Sequence, residues 1–97
     1  MITIKSDACN TRESIEFYKK YMDTFGEITE AEMIKEDCYI LKLTNNNKEE
    51  FIFEYGLTAG YGGEGAEGTL EVLKLAGFDA YLDVIFSREN FKLKKWI

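Results

Sequence analysis

Residues 38–55, CYILKLTNNNKEEFIFEY, decide the fold. Tyr39, Leu41 and Leu43 alternate along one run, and Phe51, Phe53 and Tyr55 along the next. A period of two is the mark of a strand with one buried face. Between the runs, Asn45-Asn46-Asn47 supplies residues that tolerate a tight reversal. The stretch therefore predicts a β-hairpin, 38–44 against 50–55, whose apolar face has to be covered by something else in the chain.

The flanking sequence offers two helices for that purpose. Upstream, Ile15, Tyr18, Met22 and Phe25 recur at helical spacing, widened by Phe17 and Tyr21 and ending at Gly26. Asn10 or Thr11 is the candidate N-cap, and Asn10 with Glu13 approximates a capping box. Downstream, residues 66–76 place Leu70, Leu73 and Ala76 on one face with Val72 and Leu75 beside them, and Gly77 follows where a C′ glycine belongs. Residues 1–6, with Ile2 and Ile4, read as a short strand, and 27–35 as an edge strand of weak alternation. Leu82, Val84 and Phe86 alternate as a further strand. Phe91 and Leu93 alternate with Lys92 and Lys94, as in an edge strand with lysines outward. The expected order is β-α-β-β-β-α-β-β: one small α+β domain over residues 1–97, a mainly antiparallel sheet with two helices on one face.

Composition narrows the function classes. The chain has 97 residues, 45% of them hydrophobic and 14% aromatic, as a folded globule requires. No apolar run approaches the ~18–20 residues of a membrane span, so no membrane association is expected. The first residues lack the basic-then-apolar layout of a secretory leader, which predicts a cytoplasmic protein. Cys9 and Cys38 then read as reduced thiols. There is no histidine, which removes Ser-His-Asp and Cys-His catalysis and the usual zinc ligand sets. The net charge of −6 opposes generic nucleic-acid binding, which rests on Lys and Arg against phosphate. It suits a basic protein partner. No enzyme activity, cofactor or metal is expected.

The unusual feature is the stretch 56–68, GLTAGYGGEGAEG, with six of the eight glycines. G-x-G-x-x-G occurs twice in it, as Gly60, Gly62, Gly65 and as Gly63, Gly65, Gly68. Both follow an expected strand and open an expected helix, the context in which that pattern holds phosphate on backbone N–H groups. Against this, the chain is too short for a Rossmann domain, no Lys or Arg occurs between Glu49 and Leu73, and Glu64 and Glu67 would repel an anion. No Gly-Lys-Ser/Thr follows, which excludes a Walker A loop. Two readings stay open: a connector whose glycines permit close packing, and a recognition surface of Tyr61, Gly62, Gly63, Glu64, Gly65, Glu67, Gly68 and Thr69. Tyr55, Lys92, Lys94 and Lys95 are possible accessories, the lysines supplying positive charge if the C-terminus folds back over the stretch.

Three weaker patterns remain in the sequence. Glu27, Glu30, Glu32, Glu36 and Asp37, with Glu49, Glu50 and Glu54, form an acidic run that reads as a solvated face or as a strip for a basic groove. Asp79 and Asp83 lie four apart in an expected strand and so share its solvent side, a pair that could bind a divalent cation or serve a carboxylate-dependent hydrolase. Arg88, Lys92, Lys94 and Lys95 interleave with Phe91, Leu93 and Trp96.

The short, acidic, Asn/Lys/Glu/Ile-rich composition without Pro or His, with the segments 61–68 and 69–78, resembles small proteins of bacteriophages that infect low-GC hosts. It is similar in style to counter-defence proteins, among them anti-CRISPR inhibitors and proteins that sequester nucleotide immune signals. The resemblance implies a non-enzymatic binder acting in a host cytoplasm on a bacterial protein with a basic surface. Its alternative is a nucleotide second messenger held at the glycine stretch, for which a homo-oligomer would help to enclose the ligand.

Overall fold

The computed structural model describes residues 3–6, 10–36, 39–54, 56–60, 63–78, 85 and 87–95. In chain order these form β1 (Thr3–Ser6), α1 (Thr11–Phe25), β2 (Ile28–Lys35), β3 (Tyr39–Asn45), β4 (Glu50–Phe53), α2 (Glu64–Leu75) and β5 (Phe91–Lys94). The strands make one sheet in the order β1-β4-β3-β2-β5. β1 runs parallel to β4, and the other neighbours are antiparallel. The hairpin read from residues 38–55 is the β3–β4 pair, with Leu41 opposite Phe53 and Leu43 opposite Phe51.

Register carries the apolar face across the sheet. Ile4, Phe51, Leu43, Ala31 and Leu93 stand in one row, and Ser6, Phe53, Leu41, Met33 and Phe91 in the next. Tyr18 and Phe25 of α1 and Ala66, Val72 and Leu73 of α2 close over these rows in a single core. Phe51 is its centre. Its ring lies 5.3 Å from both Tyr18 and Phe25, 5.6 Å from Phe17 and 5.0 Å from Phe53. Aromatic pairs of this kind add about 0.5–1.5 kcal/mol each beyond area burial, so α1 is fastened to the sheet through the Phe51 and Phe53 rings of β4.

The helix ends follow local chemistry. Asn10 caps α1, its side chain accepting from the Glu13 N–H at 2.9 Å. At the end of α2, the Phe78 N–H reaches the Leu73 carbonyl and the Gly77 N–H that of Lys74. Gly77 takes φ +92°, which completes a Schellman motif.

Two strand expectations change. β2 is not an edge: it lies between β3 and β5, with Ala31 and Met33 in the core. Its alternation looked weak because its outward carboxylates, Glu30 and Glu32, are matched by lysines on both neighbours. The strand expected at Leu82, Val84 and Phe86 falls on residues outside those described. The adjacent Ile85 and Ser87 are helical, and the buried Ile85 offers its carbonyl to the Gly60 N–H at 2.7 Å rather than to a sheet neighbour.

Four carboxylates of the acidic run are paired across the outer side of the sheet. Glu30 pairs with Lys92 and Lys94, Glu32 and Glu50 with Lys42, and Glu54 with Lys5. These are partly exposed pairs, each contributing about 0–1 kcal/mol.

The hairpin turn is more than a flexible reversal. Asn45 is fully buried. Its amide nitrogen donates to the Phe25 carbonyl and to Glu49 Oε1, both at 2.8 Å, while its oxygen accepts from the Asn47 and Glu49 N–H groups. One side chain thus ties the end of α1 to the β3–β4 turn. Asn45→Ala should cost about 2–4 kcal/mol in urea unfolding, because it strands buried partners, whereas the exposed Asn46→Ala should stay within about 0.5 kcal/mol.

Burial also pushes the Tyr18 phenol up to about 12. The neutral ring is the form that the fold holds, so its contribution is complete below the unfolded value of about 10 and is lost as pH rises from there through about 12. Urea midpoints between pH 9 and 12 should fall more steeply for the native chain than for Tyr18→Phe. Parallel curves would mean that Tyr18 does not drive the alkaline loss.

Candidate functional site

The glycine stretch divides in two. α2 begins at Glu64, two residues before the expected start, so Gly65 and Gly68 are helical rather than part of a loop. Each glycine within a helix costs about 1 kcal/mol relative to alanine, and close packing offsets that cost. A Cβ on Gly68 would collide with Cγ2 of Thr11 and stand 3.1 Å from Leu57, and one on Gly65 would strike the Thr58 hydroxyl. Gly56 has φ +87°, and a side chain there would meet the Asn10 carbonyl at 2.5 Å. Glu64 and Glu67 occupy the first turn of α2, where a negative charge favours the helix dipole.

Hydroxyls secure the same contact. Thr11 Oγ1 donates to the Gly56 carbonyl at 2.5 Å, and Thr69 Oγ1 reaches the Thr58 carbonyl at 2.8 Å and that of Gly65 at 3.1 Å. The start of α1, residues 56–58 and the start of α2 are therefore one packed unit.

Where the two helices diverge toward solvent they leave a groove of about 430 Å³. Glu64, Glu67 and Glu71 form the α2 wall; Arg12, Glu16 and Lys19 form the α1 wall; Thr11, Ile15 and Gly68 complete the lining. Arg12 leans on Glu16 at 3.6 Å. Among the described residues, no ion pair uses Glu64, Glu67 or Glu71, in contrast to the matched carboxylates of the sheet.

Of the residues expected to form a recognition surface, the structure places Glu64 and Glu67 exposed on the groove, with Gly68 beneath them. Gly63 is the N-cap position of α2 and has no side-chain cap. Gly65 is half-buried against Thr58, and Thr69 is fully buried with its hydroxyl engaged. Tyr55, Tyr61 and Gly62 lie outside the described residues, as do Asp79, Asp83, Cys9, Cys38 and Trp96. Glu89 packs against Gly60, but the C-terminal lysines are engaged elsewhere. Lys92 and Lys94 belong to the outer sheet face. Lys95 donates to the Ala76 carbonyl at 2.6 Å and covers the Phe78 ring, at the far end of α2, ~16 Å from its start by helix rise.

Four groove residues, Glu16 among them, escaped the sequence reading. Glu71 follows Glu64 and Glu67 at helical spacing, a signal visible only once α2 is begun at Glu64. Arg12 and Lys19 lie seven apart on α1, off its apolar stripe.

Chemically the groove presents fixed charge. The Thr11 hydroxyl is committed to Gly56, the chain has no histidine, and no cysteine lines the groove among the described residues. Among the described residues no group of three His, Cys, Asp or Glu side chains is placed to hold a metal ion, and no helix is long and apolar enough to cross a membrane. No family model, curated protein or solved structure matches the chain.

Gly68→Ala tests the packing at this site. An open helical position would gain about 1 kcal/mol from alanine. Overpacking against the stiff, β-branched Thr11 should instead give a net loss of about 1 kcal/mol or more in urea unfolding.

Proposed function

We propose that this chain is a non-enzymatic binding protein, an inhibitor of the counter-defence kind, that engages a basic surface of a bacterial protein through the acidic wall of α2. The observation that carries the reading is the contrast between two sets of carboxylates. Glu30, Glu32, Glu50 and Glu54 are matched by lysines within the chain, whereas Glu64, Glu67 and Glu71 line a groove and take part in none of the ion pairs among the described residues. Unmatched charge held on a rigid helix is available to a partner. It speeds encounter with an oppositely charged surface and selects against like-charged ones.

A nucleotide messenger at the start of α2 is the alternative. In its favour, Gly63 offers no side chain to cap the first turn, so that turn keeps backbone N–H groups for an anion. Against it, Glu64 and Glu67 occupy the same turn, and Lys92, Lys94 and Lys95 are engaged elsewhere.

Affinity capture from a bacterial lysate separates the two. The native chain should retain a specific basic protein, and the triple variant Glu64→Lys, Glu67→Lys, Glu71→Lys should lose it with its melting temperature within about 3 °C of native. Undiminished capture by the variant would place the contact elsewhere. Thermal stabilisation of the native chain by members of a nucleotide panel would favour the messenger reading instead.

A further inference from the structure

We propose that the occupant of the α1–α2 groove is a single helix of the partner protein, with cations on the flank that meets α2 and carboxylates on the flank that meets α1. The inference rests on the reading of this groove as a recognition surface and adds the form and charge pattern of what enters it.

Shape comes first. Along α2 the carboxylates of Glu64, Glu67 and Glu71 are spaced by three and then four residues, about 4.5 and 6.0 Å of helix rise. Arg12 and Lys19 on the facing wall are seven residues apart, about 10.5 Å, the same span as Glu64 to Glu71. A helix laid in the groove returns a side chain to one flank every three or four residues, about 5.4 Å, so its positions i, i+3 and i+7 keep step with all three glutamates. An extended segment returns a side chain to one face every ~6.6–6.8 Å and is out of step by the second turn. Ridges of a third helix between two others are also how helices ordinarily pack.

Charge then sets the flanks. The α2 wall has three carboxylates. The α1 wall has the Arg12–Glu16 pair and Lys19, so its net charge is positive. A uniformly basic helix satisfies the first wall and is opposed by Arg12 and Lys19. A helix with Lys or Arg on one flank and Glu or Asp on the other satisfies both. Between the walls, Gly68 contributes no side chain and the Thr11 hydroxyl is turned to Gly56, so the midline favours small apolar residues on the incoming helix.

Alanine-based helical peptides of about 18 residues provide the test, read by fluorescence anisotropy. One carries Arg at i, i+3 and i+7 with Glu on the opposite flank; a second carries the Arg alone; a third has the first peptide's composition in scrambled order. The patterned peptide should bind the native chain about tenfold or more tightly than the scrambled one. Arg12→Glu with Lys19→Glu should remove its advantage over the Arg-only peptide. Glu64→Lys with Glu67→Lys and Glu71→Lys should abolish binding of both. Circular dichroism confirms that each variant is folded. Equal binding of patterned and scrambled peptides, no binding of the patterned peptide, or indifference to the Arg12 and Lys19 reversals would each overturn the proposal. If lysate capture still depends on the three glutamates while the peptides fail, the acidic wall stands and the helical occupant falls. If capture ignores the glutamates, the underlying reading falls with it.

Discussion

The closeness of α2 to the start of α1 is the constraint on which the rest of this structure depends. Gly68 meets Thr11 where no larger residue fits, and Gly56 accepts the Thr11 hydroxyl with a positive φ that suits glycine alone. A few tenths of an ångström matter here, since packed interiors have no slack to absorb a methyl group. The contact brings the first two turns of α2 alongside α1. That placement gives the groove its two walls, and it lets Val72 and Leu73 reach the sheet rows that Tyr18 and Phe25 cover from the other side. Phe51 and Asn45 then fix α1 from below and at its end.

The same architecture distributes charge unevenly. On the outer sheet face Lys5, Lys42, Lys92 and Lys94 interleave with Glu30, Glu32, Glu50 and Glu54, four charges of each sign. That face adds nothing to the net −6 of the chain. α2 itself, by contrast, carries Glu64, Glu67 and Glu71 against one cation, Lys74, with Arg12 and Lys19 on the facing wall. Screening cuts off surface fields within about 8–10 Å, so the local excess on α2 governs the field there far more than the total. A residue count along the chain points to the 27–54 segment as the acidic region. Pairing with lysines matches Glu30, Glu32, Glu50 and Glu54 of that segment, whereas the helical set takes part in none of the ion pairs among the described residues.

Much of the fold was legible because its signals are local. The β3–β4 hairpin follows from the alternation of Leu41, Leu43, Phe51 and Phe53, the Asn10 cap from its capping-box spacing, and Gly77 from its place after the last apolar residue. The rest depends on distant partners. β2 looked marginal because Glu30 and Glu32 are tolerable at its centre only with Lys42, Lys92 and Lys94 alongside. The start of α2 was missed because glycine lowers helix propensity, and only contact with Thr11 and Thr58 restores the balance. Asn45 read as one of three turn residues, although its role is set by Phe25, twenty positions earlier. Half of the site was visible as Glu64 and Glu67. Glu71, Arg12 and Lys19 became meaningful only when two helices shared a groove.

A doubled G-x-G-x-x-G pattern has two physical causes, and the direction of the missing side chains distinguishes them. Glycines that cradle a ligand point their absent Cβ atoms at space the ligand will fill. At Gly56, Gly60, Gly65 and Gly68 that space is occupied by Asn10, Glu89, Thr58 and Thr11, so the backbone approaches the protein itself. What faces outward are the residues spaced between and after those glycines, Glu64, Glu67 and Glu71. The glycines bring the helix close, and the glutamates are what it then presents. A pattern that reads as an anion cradle from spacing alone is thus, at Gly60, Gly65 and Gly68, a set of close contacts within the protein beside an acidic helix face.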